Sequence, residues 1–239
     1  MGRLINGIFQ NDSAFGQLMT RIGIIIGANL MFVLFTLPIV TALPSAVALY
    51  HVMLRVLRSD GVINPFKEFW TGFRTNFRQS MMYEAMAAAF ALLCYFDLRF
   101  CGYAGGVFIW FRYAIYVLAM AGLILTAFLL PVMAAFADTI PHLMRNAVFF
   151  AARRPWKILV LVFFDVFPLF LTYSDPQMLP LYAFCWVAFG FGAVAMIGAS
   201  LLVKDFSEYL PTVYEEEEQT EKEERKAEKT LEDMKKMGM

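Results

Sequence analysis

Long uncharged apolar runs alternate along this chain with short stretches where arginine and lysine collect. The first run starts at Ile22 and meets no Lys, Arg, Asp or Glu before Arg55. As a helix it would reach roughly 50 Å at 1.5 Å per residue, too far for one untilted crossing of a hydrocarbon core about 30 Å thick. Pro38 and Pro44 are the natural breaks, because proline lacks the amide donor and clashes with the preceding turn. The pattern therefore predicts a first span near 22–42 and a second helix, 45–58, emerging from the membrane. Later runs predict spans near 79–100, 113–137, 158–173 and 178–203. The second of the five has Glu84 near one end and Asp97 and Arg99 near the other, and the fourth is short and contains Asp165 and Pro168. The fifth is uncharged and carries Gly190, Gly192 and Gly198, small residues that let helices approach closely. The expected fold class is an all-α, polytopic transmembrane helical bundle of about five spans over residues 1–205, with amphipathic cytoplasmic connecting helices.

The connections have a pattern of their own. Asn64 followed by Pro65 is a helix start, an N-cap and a first-position proline. Phe66, Phe69, Trp70, Phe73 and Phe77 then recur at helical spacing, with Lys67, Arg74 and Arg78 beside them. Three uses fit such a stripe: lying at the membrane–water interface, packing on the protein's own spans, or docking a partner. Phe66, Phe69, Trp70, Phe73, Arg74, Phe77 and Arg78 are accordingly a candidate interface or partner-docking helix. The second connection opens Asp138-Thr139-Ile140-Pro141 and closes Arg153-Arg154-Pro155-Trp156-Lys157. The segments 35–42 and 128–135 share Phe, Leu-Pro and a final Ala, and each precedes a His and a basic amphipathic stretch. An internal duplication of the first two spans in the next two is one reading, and chance likeness of apolar helices is the other.

Composition supports lipid as the solvent. Of 239 residues 60% are hydrophobic and 17% charged, where a soluble domain is about 45–50% apolar and about 25% charged. The net charge of zero hides two opposed parts. Residues 1–203 hold 13 Lys/Arg and 8 Asp/Glu, and residues 204–239 hold 7 and 12. The tail, 206–239, is acidic and has no aromatic residue after Tyr214, so it is expected as a disordered segment or a solvated helix. With five spans, Arg55, Arg58, Lys67, Arg74, Arg78, Arg145, Arg153, Arg154 and Lys157 share one side, and Arg3, Arg21, Arg99 and Arg112 the other. The positive-inside rule then places the first group in the cytoplasm, with the N-terminus outside and the C-terminus inside.

Candidate chemistry is sparse. Asp165 and Asn29 are polar groups within apolar runs, and an ionisable side chain there is expected to face the bundle interior or a cavity. Asp165 reads either as a proton or substrate site or as a carboxyl paired with a polar group on another helix. Cys94, Cys101 and Cys185 form no C-x-x-C, and His51 and His142 are too few for most metal sites. No catalytic, metal or cofactor constellation is found, which points to a non-enzymatic protein, and the basic residues are too dispersed for nucleic acid.

Leu37-Pro38-Ile39-Val40-Thr41, then Ala48-Leu49-Tyr50, the run Phe69, Phe73, Arg74, Asn76, Phe77, Arg78, and Arg145-Asn146-Ala147 resemble the YesL-like family of small bacterial membrane proteins. The likeness covers roughly residues 1–205 and leaves out the acidic tail. It departs at Ala42-Leu43-Pro44-Ser45, where a Gly-Ala-rich turn is expected. The resemblance implies a multi-pass protein of the bacterial cell membrane without assigned catalysis, typically encoded beside carbohydrate-uptake transporters and glycan-degrading enzymes. On that basis the expected role is a non-catalytic accessory or regulatory component associated with sugar ABC transporter systems. Alternatives are a small-solute transporter or channel in its own right, and a membrane-embedded enzyme acting on lipid or glycan.

Overall fold

The computed structural model describes residues 14–59, 63–136 and 138–206, and among these every regular element is helical. In chain order they are α1 (Ala14–Thr36), a 3-10 turn (Ile39–Thr41), α2 (Ala42–Arg58), α3 (Pro65–Ala104), α4 (Phe108–Ala135), α5 (Ile140–Arg153), α6 (Pro155–Ser174), a second 3-10 turn (Pro176–Met178), α7 (Leu179–Cys185), a π turn (Trp186–Gly190) and α8 (Phe191–Phe206). The expected N-terminal flank and the acidic tail after Phe206 lie outside the described residues.

Local chemistry explains the boundaries. Asn64 caps α3 as its sequence foretells: Oδ1 accepts from the backbone N–H of Phe66 at 3.1 Å and of Lys67 at 3.4 Å, with Pro65 in the first turn. No proline follows before Ala104. The amphipathic connection and the span expected at 79–100 therefore fuse into one helix of 40 residues. It stops at Gly105 and Gly106, whose φ values of +62° and +57° need residues without Cβ. The second connection forms α5, which begins after Thr139 without a side-chain cap and has Pro141 in its first turn. Pro38 lies between α1 and the 3-10 turn, whereas Pro131 is inside α4. The two Leu-Pro segments thus adopt different structures, and the structure adds no support for the duplication.

Six helical stretches are long and apolar enough to cross a bilayer: Phe15–Thr36, Ile39–Arg58, Pro65–Ala104, Phe108–Ala135, Pro155–Ser174 and Pro176–Phe206. This is an all-α bundle close to the five spans expected, and the additional stretch contains α2. That helix is the hub. Val47, Ala48, Val52 and Met53 are wholly buried, because α1, α3, α4 and α8 all pack on it. Close approach is built in at Gly72 of α3, where a Cβ would lie 2.8 Å from the His51 side chain. From the same helix, the Glu84 carboxylate lies beside the backbone of Ala42 and Leu43 in the first turn of α2. A carboxylate there meets the positive end of the helix dipole.

Candidate functional site

Asn29 is fully buried on α1 and its amide is spent on one neighbour. Nδ2 donates to the carbonyls of Trp186 at 3.0 Å and Val187 at 2.7 Å, while Oδ1 accepts from the Gly192 N–H at 2.8 Å. A π turn leaves backbone groups out of the i to i−4 ladder, and Asn29 meets two carbonyls there, those of Trp186 and Val187. Gly192 makes the approach possible, since a Cβ there would sit 2.9 Å from Cγ2 of Ile25. The expected span at 178–203 is thus interrupted at a point no proline or charge announces. Asn29 holds that interruption in place.

Asp165 stands in a different setting. It lines a cavity of about 530 Å³ walled by α1, α2, α4, α6, the π turn and α8. Most of the lining is apolar, such as Leu49, Leu123, Leu130 and Leu169. The polar side includes Tyr50 of α2 and Asp165. Among the described residues the Asp165 carboxylate meets no hydrogen-bond donor and no cation. Phe32, Phe191 and Trp186 form a continuous aromatic wall, with ring centroids 5.0 Å apart for the first pair and 4.6 Å for the second. The indole Nε1 is turned away, donating to Thr172 Oγ1 at 2.9 Å. Asn29 and Asp165 are therefore linked through one element, the π turn that Asn29 pins and that carries Trp186 into the cavity wall.

The aromatic stripe on α3 divides. Phe69 and Phe73 are buried and meet Phe35 of α1 at centroid distances of 5.8 and 5.0 Å, and Phe77 is half-buried. Phe66 and Trp70 are exposed, as are Arg74 and Arg78. Trp70, though half exposed, also meets Phe35 at a centroid distance of 5.9 Å, so most of the stripe packs on the protein's own helices, and parts of Phe66 and Trp70 with two arginines remain on the surface. On α5, Leu143, Ala147 and Phe150 face the core, while Val148 and Phe149 are exposed near Arg145.

Two further polar clusters stand beside these. Lys157, buried at the start of α6, donates to Asp205 Oδ2 at 2.6 Å and to the Leu201 carbonyl, and Arg154 lies 3.6 Å from the same carboxylate. The pair ties the start of α6 to the end of α8. Sequence reasoning missed it, although topology held the cue: both residues sit where an apolar run meets the same membrane face. His51 bridges three helices, with Nε2 3.7 Å from Glu68 Oε2 and Nδ1 3.4 Å from the Ala134 carbonyl. His142 is exposed on α5 and lies 3.7 Å from Asp138. The two histidines are not brought together, and among the described residues no three His, Cys, Asp or Glu side chains gather as a metal site would require.

No curated protein and no solved structure matches this chain. Residues 25–98, from α1 through most of α3, match the model of a family described as a protein of unknown function, DUF624, which is the family of YesL-like small bacterial membrane proteins that the sequence motifs point to.

Proposed function

We propose that this chain is a non-catalytic accessory component of carbohydrate uptake in the bacterial cytoplasmic membrane, meeting sugar ABC transporter subunits through its cytoplasmic helices. One observation supports the docking part: Phe66, Trp70, Phe149 and Trp156 are exposed on α3, α5 and α6 near the exposed Arg74, Arg78, Arg145 and Arg154, the last between α5 and α6. Large rings with arginines are the composition of protein contact surfaces. The link to sugar uptake rests on the YesL-like resemblance. The test is mild-detergent purification after photo-crosslinking from positions 70 and 149. Transporter subunits joined to both positions are expected, and recovery of this chain alone would refute the reading.

For orientation, the basic connections and the C-terminus are assigned to the cytoplasm and the N-terminus to the outside. Charge alone fits either parity: nine against four with five crossings, and eleven against two if α2 also crosses, because Arg3 and Arg21 then change sides. The assignment takes five, with α2 leaving the membrane after the proline break at Pro38. α2 runs antiparallel to the first half of α3, with His51 beside Glu68 and Gly72. A cysteine at Ser13 is expected to react with a membrane-impermeant thiol reagent added to intact cells. Protection there, with reaction in inverted vesicles, would show α2 crossing.

A second reading is favoured by the cavity: transport of a small solute past Asp165. Under it, Asp165→Asn abolishes flux in liposomes while the protein stays folded, and unchanged flux refutes it.

A further inference from the structure

We propose that the cavity at Asp165 is a binding site for a hydrophobic organic cation, an ammonium or phosphonium group carrying an apolar body. The volume of about 530 Å³ lies within the range of small-molecule sites, about 300–1,000 Å³. An apolar chamber with one carboxylate lacking a cation selects by charge. A neutral guest leaves the anion uncompensated in a low-dielectric space, an anion adds repulsion, and a cation supplies the missing partner. A hydrated metal ion does not suit the site, because the apolar walls offer no shell of oxygen ligands.

The aromatic wall argues for an organic cation in particular. Phe32, Phe191 and Trp186 stand in contact, and Tyr50 adds a fourth ring to the lining. Aromatic faces attract ammonium-type cations through the ring quadrupole, most strongly for tryptophan and more when the cation is desolvated. The Trp186 indole N–H is already engaged with Thr172, which leaves the ring to act as a surface rather than a donor. Asn29 serves as a positioning residue, because its three hydrogen bonds fix the turn that carries Trp186. A second cavity, of about 340 Å³ between α3 and α4, also combines a carboxylate, Asp97, with Phe100, Phe108 and Phe111. Its aspartate is exposed and no other helix closes it, so it serves as the internal control.

The inference deepens the transport reading but does not need flux, so binding and transport fail separately. The experiment is equilibrium binding of radiolabelled tetraphenylphosphonium to the full-length protein in mild detergent. Its charge does not change with pH and its rings match the wall. Saturable binding is expected, displaced by unlabelled probe and not by neutral triphenylphosphine oxide. Asp165→Asn is expected to weaken it about tenfold or more, while Asp165→Glu and Asp97→Asn retain it. Non-saturable uptake, equal displacement by the neutral compound, or undiminished binding by a folded Asp165→Asn variant would each overturn the proposal. The neutral-competitor arm uses only the wild-type chain, so it decides the matter even if the asparagine variant does not fold.

Discussion

The hub around α2 and the far half of the α3–α4 hairpin are made of the same kinds of residue and solve the same physical problem in opposite ways. Around α2, Val47, Val52, Met53, Phe69 and Leu202 are hidden by protein. Along the hairpin, Leu92, Leu93, Phe96, Phe100, Val117 and Leu118 are more than half exposed. In water the second arrangement would be a large unprotected apolar surface. Its existence beside a well-packed hub is what an acyl-chain solvent predicts, since lipid is as apolar as leucine and rewards no burial between helices. Hydropathy measures only how greasy a segment is. The structure shows which greasy segment is covered by neighbours and which is left exposed.

The contrast can be broken by substitution, with effects read as unfolding in detergent or as proteolytic resistance. The largest loss is expected for Lys157→Met, which strips the short pair from Asp205 at the packed end of the bundle. Breaking a buried pair costs about 3–5 kcal/mol, with the lower end expected because Arg154 remains. Next is Met53→Ala in the hub, about 3 kcal/mol from lost contacts and a residual cavity. Asn29→Leu should cost about 1–2 kcal/mol, the scale of interhelical hydrogen bonds in membranes, and should also loosen Trp186. Smallest is Leu93→Ala on the hairpin, expected within about 0.5 kcal/mol because lipid fills the space. A Leu93→Ala loss equal to that of Met53→Ala would mean that protein covers the hairpin after all.

Much of the fold is legible in the sequence because helices in lipid must satisfy their own backbone, so length and apolarity nearly define them. The cap at Asn64, the proline in the first turn of α5 and the glycine-rich packing of the last span follow from local chemistry. What was not legible depends on partners distant in the chain. The deep burial of α2 cannot be read from a helix that looks fit to leave the membrane. The π turn depends on Asn29, more than 150 positions away. For the site, Asp165 and Asn29 stand out as polar residues in apolar runs, but Phe32, Tyr50, Trp186 and Phe191 are ordinary members of such runs until the fold brings them to one cavity. The aromatic stripe on α3 was visible, but how it divides between core and surface was not.

Central to the account is a bundle that crosses the membrane, and the proposed orientation puts its packed, arginine-bearing end in the cytoplasm and the hairpin tip outside. Single cysteines at Lys67, Tyr103 and Ser174, in a chain freed of Cys94, Cys101 and Cys185, test this with a membrane-impermeant maleimide on intact cells. Positions 103 and 174 should be labelled and position 67 protected until the membrane is opened; the reverse pattern, or equal labelling of all three, would contradict the account.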